Sequence, residues 1–149
     1  MARYPLRPRF RALAWGAAGL GGALTAAAWW APPVVLISGV TGLALGASYL
    51  LSPTWRLAVV TSAQGLTLEG RRGPRFTLAW TDIHKVIASP TTKTCFVDGG
   101  EPQRRLMVPG EGAPAPYWIE RRAELYDEIL AAVASDKVET VTLISDKME

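Results

Sequence analysis

The sequence predicts an α+β protein in which a two-helix transmembrane hairpin precedes one small antiparallel β-domain, closed by a C-terminal helix. Three observations carry that prediction. No charged residue occurs between Ala12 and Leu51, and Pro32-Pro33 interrupts the stretch. From Trp55 to Val108, short runs of alternating apolar and polar residues are separated by Gly, Pro or Asp, the pattern of strands in a meander. After Pro116 the apolar period lengthens to that of a helix lying on a sheet.

The charge-free run is too long for one span. Proline lacks an amide hydrogen and turns the residue before it away from helix, so the run divides into helices at 12–30 and 34–51. At 1.5 Å per residue each covers roughly 27–28 Å, close to the ~30 Å hydrocarbon core. The short connection makes them antiparallel neighbours. Four arginines (Arg3, Arg7, Arg9, Arg11) precede the first helix and the turn carries no charge. Basic residues at span ends stay on the cytoplasmic side. The expectation is therefore a multi-pass protein of the inner (cytoplasmic) membrane with both termini cytoplasmic. Residues 1–11 read as a basic cytoplasmic arm. Trp29 and Trp30 suit the far interface, with Trp55 and Arg56 at the near one.

Small residues repeat every fourth position in both helices: Ala14, Ala18, Gly22 and Ala26 in the first, Ser38, Gly42 and Gly46 in the second. Such stripes let backbones approach closely in lipid. Packing within the hairpin accounts for them without a second copy, although a homo-oligomer is the alternative. Ala26-Ala27-Ala28 resembles a signal cleavage site, but Trp29-Trp30 is a poor mature start and a second apolar helix follows at once. The arginines form no twin-arginine pair.

Residues 52–135 read as one cytoplasmic domain, and 136–149 as a tail with a candidate extra strand over 138–144. Setting aside the 4 leading arginines from the 16 basic residues leaves 12 against 13 acidic ones. The pI of 9.3 thus belongs to the N-terminal arm, and the domain lacks the basic excess that nucleic-acid binding requires. Strands are expected at 55–61, 66–69, 76–80, 83–88, 94–97 and 104–108. A Pro/Gly linker spans 110–116, and the helix runs from Tyr117 to about Ala134 with Ile119, Ala123, Tyr126, Leu130 and Val133 on one side.

Gly65-Leu66-Thr67-Leu68, then Arg75-Phe76-Thr77-Leu78, lead into Trp80-Thr81-Asp82-Ile83-His84-Lys85-Val86, a W-x-D-I-x-x-V step. With the helix after Pro116, these segments resemble the bacterial PH-like domains carried on two N-terminal transmembrane helices. The resemblance implies a bent, nearly barrel-like sheet capped by one helix, in a domain that binds or scaffolds and does not catalyse. The long Pro/Gly loop and the tail depart from the family's pattern.

No catalytic set emerges from the residues themselves. Cys95 is the only cysteine and His84 the only histidine, so an intramolecular disulfide and a Cys-based metal site are out of reach. Cys95 reads as a buried apolar thiol. His84 reads as a strand-face residue bonded to Asp82, and Asp82 as a turn-former accepting backbone amides. The glycines match neither dinucleotide nor phosphate-loop spacing, so no cofactor is expected. Arg71, Arg72 and Arg75, in and beside a strand turn, are candidate lipid-headgroup contacts. Lys85, Lys93, Arg104 and Arg105 follow on later strands and loops.

The reading these observations support is a membrane-anchored, non-enzymatic module acting as adaptor, assembly or regulatory factor. Its partners would be the bilayer and other membrane proteins, with no nucleic acid. The alternative is an anionic lipid-headgroup or small-ligand receptor using the basic turn.

Overall fold

The computed structural model describes residues 1–142 and resolves the chain into two compact units. One comprises Pro8–Pro53; the other joins Met1–Arg7 to the chain from Thr54 onward.

The first unit is a helical hairpin. Helix α1 (Arg11–Ala27) tightens into a 3-10 turn at Ala28–Trp30, and α2 spans Pro33–Leu50. Pro32 stands at the N-cap in extended conformation and Pro33 is the first helical residue, where a missing amide costs nothing. The helices are antiparallel, because Gly39 meets Thr25, Gly42 meets Gly21 and Ala17, and Gly46 meets Ala14 and Ala18. A Cβ at Gly46 would lie 2.6 Å from the Ala14 carbonyl oxygen. The seam therefore runs through Ala14, Ala18, Gly21 and Thr25, a 4-3-4 spacing. The strict four-residue stripe expected from the sequence drifts off this face, and Gly22 has no neighbour within 4 Å of a built Cβ. The Phe10 amide donates to the Tyr49 hydroxyl at 3.0 Å, joining the open ends of the hairpin. Leu13, Trp15, Leu20, Ile37 and Leu45 are exposed. Both helices are long and apolar enough to cross a membrane.

The second unit is α+β, with two sheets. Strand β1 (Ala2–Pro8) begins it, followed after the hairpin by β2 (Ala58–Thr61), β3 (Gly65–Gly70) and β4 (Gly73–Ala79). Next come β5 (Lys85–Ser89), β6 (Thr94–Asp98), β7 (Arg105–Val108) and β8 (Tyr117–Ile119). Helix α3 (Arg122–Ala132) and β9 (Val138–Thr140) complete it. The sheets are ordered β4-β3-β2-β1-β8 and β7-β6-β5-β9. Val59, Leu66, Leu78, Val86 and Val97 from the strands and Ile83 before β5 are buried together with Leu125 and Ile129 of α3 in one core.

Three differences from the sequence reading stand out. Residues 2–8 are not a free basic arm. They form β1, antiparallel to β2 with Ala2 opposite Thr61 and Pro5 opposite Ala58. Tyr4 and Leu6 enter the core while Arg3 and Arg7 face outward. Leu6 donates to the Leu57 carbonyl, so by antiparallel alternation Pro5 turns its donorless nitrogen toward β8, where its carbonyl accepts from Glu120 at 3.1 Å. Second, Pro53–Arg56 is a 3-10 turn and β2 starts only at Ala58.

Third, the expected helix from Tyr117 begins as β8. Arg121 takes a left-handed conformation (φ 52°) between the two elements, and the buried side of α3 carries Leu125, Tyr126 and Ile129; Ala123 is exposed. Within the tail, β9 pairs parallel to β5 with Val86 opposite Val138. The part of the expected strand beyond Thr142 lies outside the described residues.

Candidate functional site

The β3–β4 hairpin closes on Arg71-Arg72, and Gly73 after them has φ +116°, a conformation glycine adopts without a Cβ penalty. Leu68 opposes Phe76 while Glu69 opposes Pro74. Arg75 is therefore the extra residue of a β-bulge, a device that redirects a side chain. All three arginines are exposed.

Strand register puts this turn at a particular end of the sheet. Glu69 is opposite Ala58, and a Cβ on Gly70 would touch Leu57 at 3.2 Å. Arg56 precedes Leu57, and Leu6, which bonds Leu57, precedes Arg7. Arg7, Arg56, Arg71, Arg72 and Arg75 thus share the sheet end at which the chain leaves for residue 8 and returns at residue 54. Arg7 is paired with Glu120 at 2.6 Å. Arg56, Arg71, Arg72 and Arg75 have neither a side-chain hydrogen bond nor an ion pair among the described residues.

Several other basic residues are ion-paired. Lys85 pairs with Glu139, Lys93 with Asp127 at 3.4 Å and Arg105 with Asp98 at 3.2 Å. Exposed pairs of this kind add little stability, but they neutralise the surface they occupy. Four arginines without such a partner thus gather at the end bearing the β3–β4 turn.

A second feature lies beyond the opposite end of β4. A cleft of about 480 Å³ is lined by Thr81, Asp82, Ile83, His84, Gly99, Arg104 and Lys137. Arg104 donates to the Thr77 carbonyl at 3.2 Å and stands 4.0 Å from Asp82. Lys137 donates to the Thr81 carbonyl at 2.8 Å. His84 makes no bond to Asp82; its ring lies against Gly100, where a Cβ would come within 3.0 Å of it. The Asp82 carboxylate accepts from the Thr81 hydroxyl at 3.4 Å and from no backbone amide among the described residues; a different turn, after β6, has such a carboxylate, Asp98, which accepts from the Gly100 amide at 3.0 Å. Cys95 is buried in the core, and burial pushes its thiol from 9.0 up to about 12.

The arginine turn is legible in the sequence, whereas Arg56's place on the same surface and the cleft are not. Arg104 and Lys137 carry no local signal, because they meet His84 only through the pairing of β5, β6, β7 and β9. No family model, curated protein or solved structure matches the chain.

Proposed function

We propose that the chain is a membrane-anchored, non-enzymatic module in which a PH-like domain serves as adaptor, assembly or regulatory factor for other membrane proteins. One observation carries this reading. Residues before the first apolar helix pair with residues after the second in a single sheet, so the hairpin is an insertion between adjacent strands. Two spans entering and leaving one domain would hold both of its entry points on the same side of a membrane, and the arginines before α1 favour the cytoplasmic side of the inner membrane. Two covalent attachments also limit the domain's tumbling. A domain held at the bilayer meets membrane partners at raised effective concentration, so modest affinity suffices. Support for the PH-like fold comes from the order of elements. A four-stranded and a three-stranded meander followed by α3 are the parts needed for a bent, nearly barrel-like sheet capped by one helix.

The test is photo-crosslinking of the full chain in its native membrane, with the crosslinker at exposed Thr77 on edge strand β4 or at Gln103 before edge strand β7. Edge strands offer unpaired backbone groups to a partner. The expected outcome is a reproducible membrane-protein adduct from at least one edge. Adducts to lipid alone from both positions would overturn the adaptor reading.

A second reading, contact with anionic headgroups, is favoured by the four uncompensated arginines at the sheet end nearest the helices in sequence. Each basic residue close to an anionic leaflet is worth about 1 kcal/mol. With the full chain in nanodiscs, amide exchange over residues 69–76 should slow when anionic lipid replaces zwitterionic lipid. That difference should vanish in an Arg71→Ala/Arg72→Ala/Arg75→Ala variant. Equal exchange on both lipids would sink this reading and leave the first intact.

A further inference from the structure

We propose that the cleft at the start of β5 binds a small phosphate-bearing anion from solution, held by Arg104, Lys137 and His84. The three donors come from separate elements and converge on one space. Arg104 precedes β7, Lys137 precedes β9 and His84 precedes β5, and all three line the same cleft. Backbone carbonyls hold the two permanent cations in place: Thr77 for Arg104 and Thr81 for Lys137. Each cation keeps further N–H groups for a ligand, since an ammonium has three and a guanidinium five. The one carboxylate among the lining residues, Asp82, stays 4.0 Å from Arg104 with 57% of its side chain exposed, so positive charge predominates.

Two glycines let the residues around the cleft pack closely. A Cβ on Gly99 would meet the Arg104 carbonyl oxygen at 2.6 Å, and one on Gly100 would meet the His84 ring at 3.0 Å. A volume of about 480 Å³ is in the range of small-molecule sites. A tetrahedral oxyanion presents acceptors in three directions, which suits three donors on separate elements better than a planar carboxylate does. Charge-assisted bonds of this kind are the strong ones.

The cleft is independent of the arginine turn. Asp82 follows the far end of β4, and six residue steps separate Gly73 from Ala79, roughly 20 Å of strand. A headgroup held at the turn cannot reach it, so the two sites are separate.

His84 is the only histidine, so its imidazole resonances need no assignment among rivals. The experiment titrates inorganic phosphate into the full chain in zwitterionic nanodiscs and follows those resonances, with chloride at equal ionic strength as the comparison. A saturable shift with phosphate and none with chloride is expected. Arg104→Gln and Lys137→Gln should each weaken apparent affinity about tenfold. Asp82→Asn, which removes the opposing charge without removing a donor, should strengthen it; this opposite sign guards against variants that merely misfold. Equal shifts with chloride, no saturation at millimolar phosphate, or an Asp82→Asn affinity at or below that of the parent would overturn the proposal. A response that appears only when anionic lipid is added would assign the charge to the bilayer and overturn it equally.

Discussion

Cys95 and Tyr4 are both kept neutral by the fold, for different reasons. Burial alone raises the Cys95 thiol from 9.0 to about 12. Tyr4 rises from 10.0 to about 12, through burial first and then through its hydrogen bond to Glu128 and that residue's negative charge. Arg121, 5.0 Å from the Tyr4 ring centre, pulls the other way. Because each folded value exceeds the unfolded one, their contribution to stability is complete below about 9.0 and is lost as pH climbs toward about 12. Denaturant unfolding of the full chain should show stability falling across that window, and a thiol reagent should label Cys95 only on unfolding. Rapid labelling of the native protein would refute the assignment. Tyr126 differs again: its hydroxyl is buried without a partner among the described residues, which costs about 1–3 kcal/mol. Tyr126→Phe should therefore leave the melting temperature unchanged or raise it, and a marked fall would mean that the hydroxyl has a partner after all.

Glycines divide the helical hairpin into a seam and an outer face. A Cβ at Gly46 would press on Ala14 and Ala18 backbone atoms at 2.6 and 2.7 Å, whereas one at Gly19 meets nothing within 4 Å. Backbone cannot step aside as a flexible side chain can, so Gly46→Leu should cost about 3 kcal/mol or more, and Gly19→Leu close to nothing. Thermal unfolding of both variants in micelles, read by helical circular dichroism, checks the contrast; equal melting would refute the seam. The hairpin was legible because a charge gap and a Pro-Pro pair are local signals. Strands β3 to β7 were legible because their two-residue alternation is local too. Strand β1 was hidden: Tyr4 and Leu6 alternate with Arg3 and Arg7 over only a few residues, interrupted by Pro5 and followed by Pro8, which argue for loop, and the pairing partner lies more than fifty positions away. Strand β8 was hidden because Ile119 continues the apolar spacing of α3. The cleft needed Arg104 and Lys137 brought to His84 by sheet pairing, which no sequence window contains.

At the scale of the whole chain, the α+β unit is discontinuous. It takes one central strand from residues 2–8 and everything else from beyond residue 54, so the apolar hairpin occupies the position of a strand-to-strand loop. Tyr4 and Leu6 belong to the core at 1% and 4% exposure, and β1 lies between β2 and β8. A fragment beginning at Ser52 would lack that strand, leaving two strand edges unpaired and a core gap where Tyr4 sat; losing one large core aromatic alone costs about 3–5 kcal/mol. That is a large share of a typical small domain's stability, so this fragment should aggregate or remain unfolded. The complementary chain joins Arg7 to Arg56 through an Asn-Gly turn in place of the intervening residues. Leu6 already bonds Leu57 across the two strands, and two-residue turns are the natural closure of such a pair. This chain should fold without detergent, with dispersed amide resonances and cooperative unfolding. Should the Ser52 fragment fold as well as the closed chain, β1 would be dispensable and the hairpin a simple N-terminal anchor. Failure of the closed chain alone would show that the helices stabilise the domain as well as attach it.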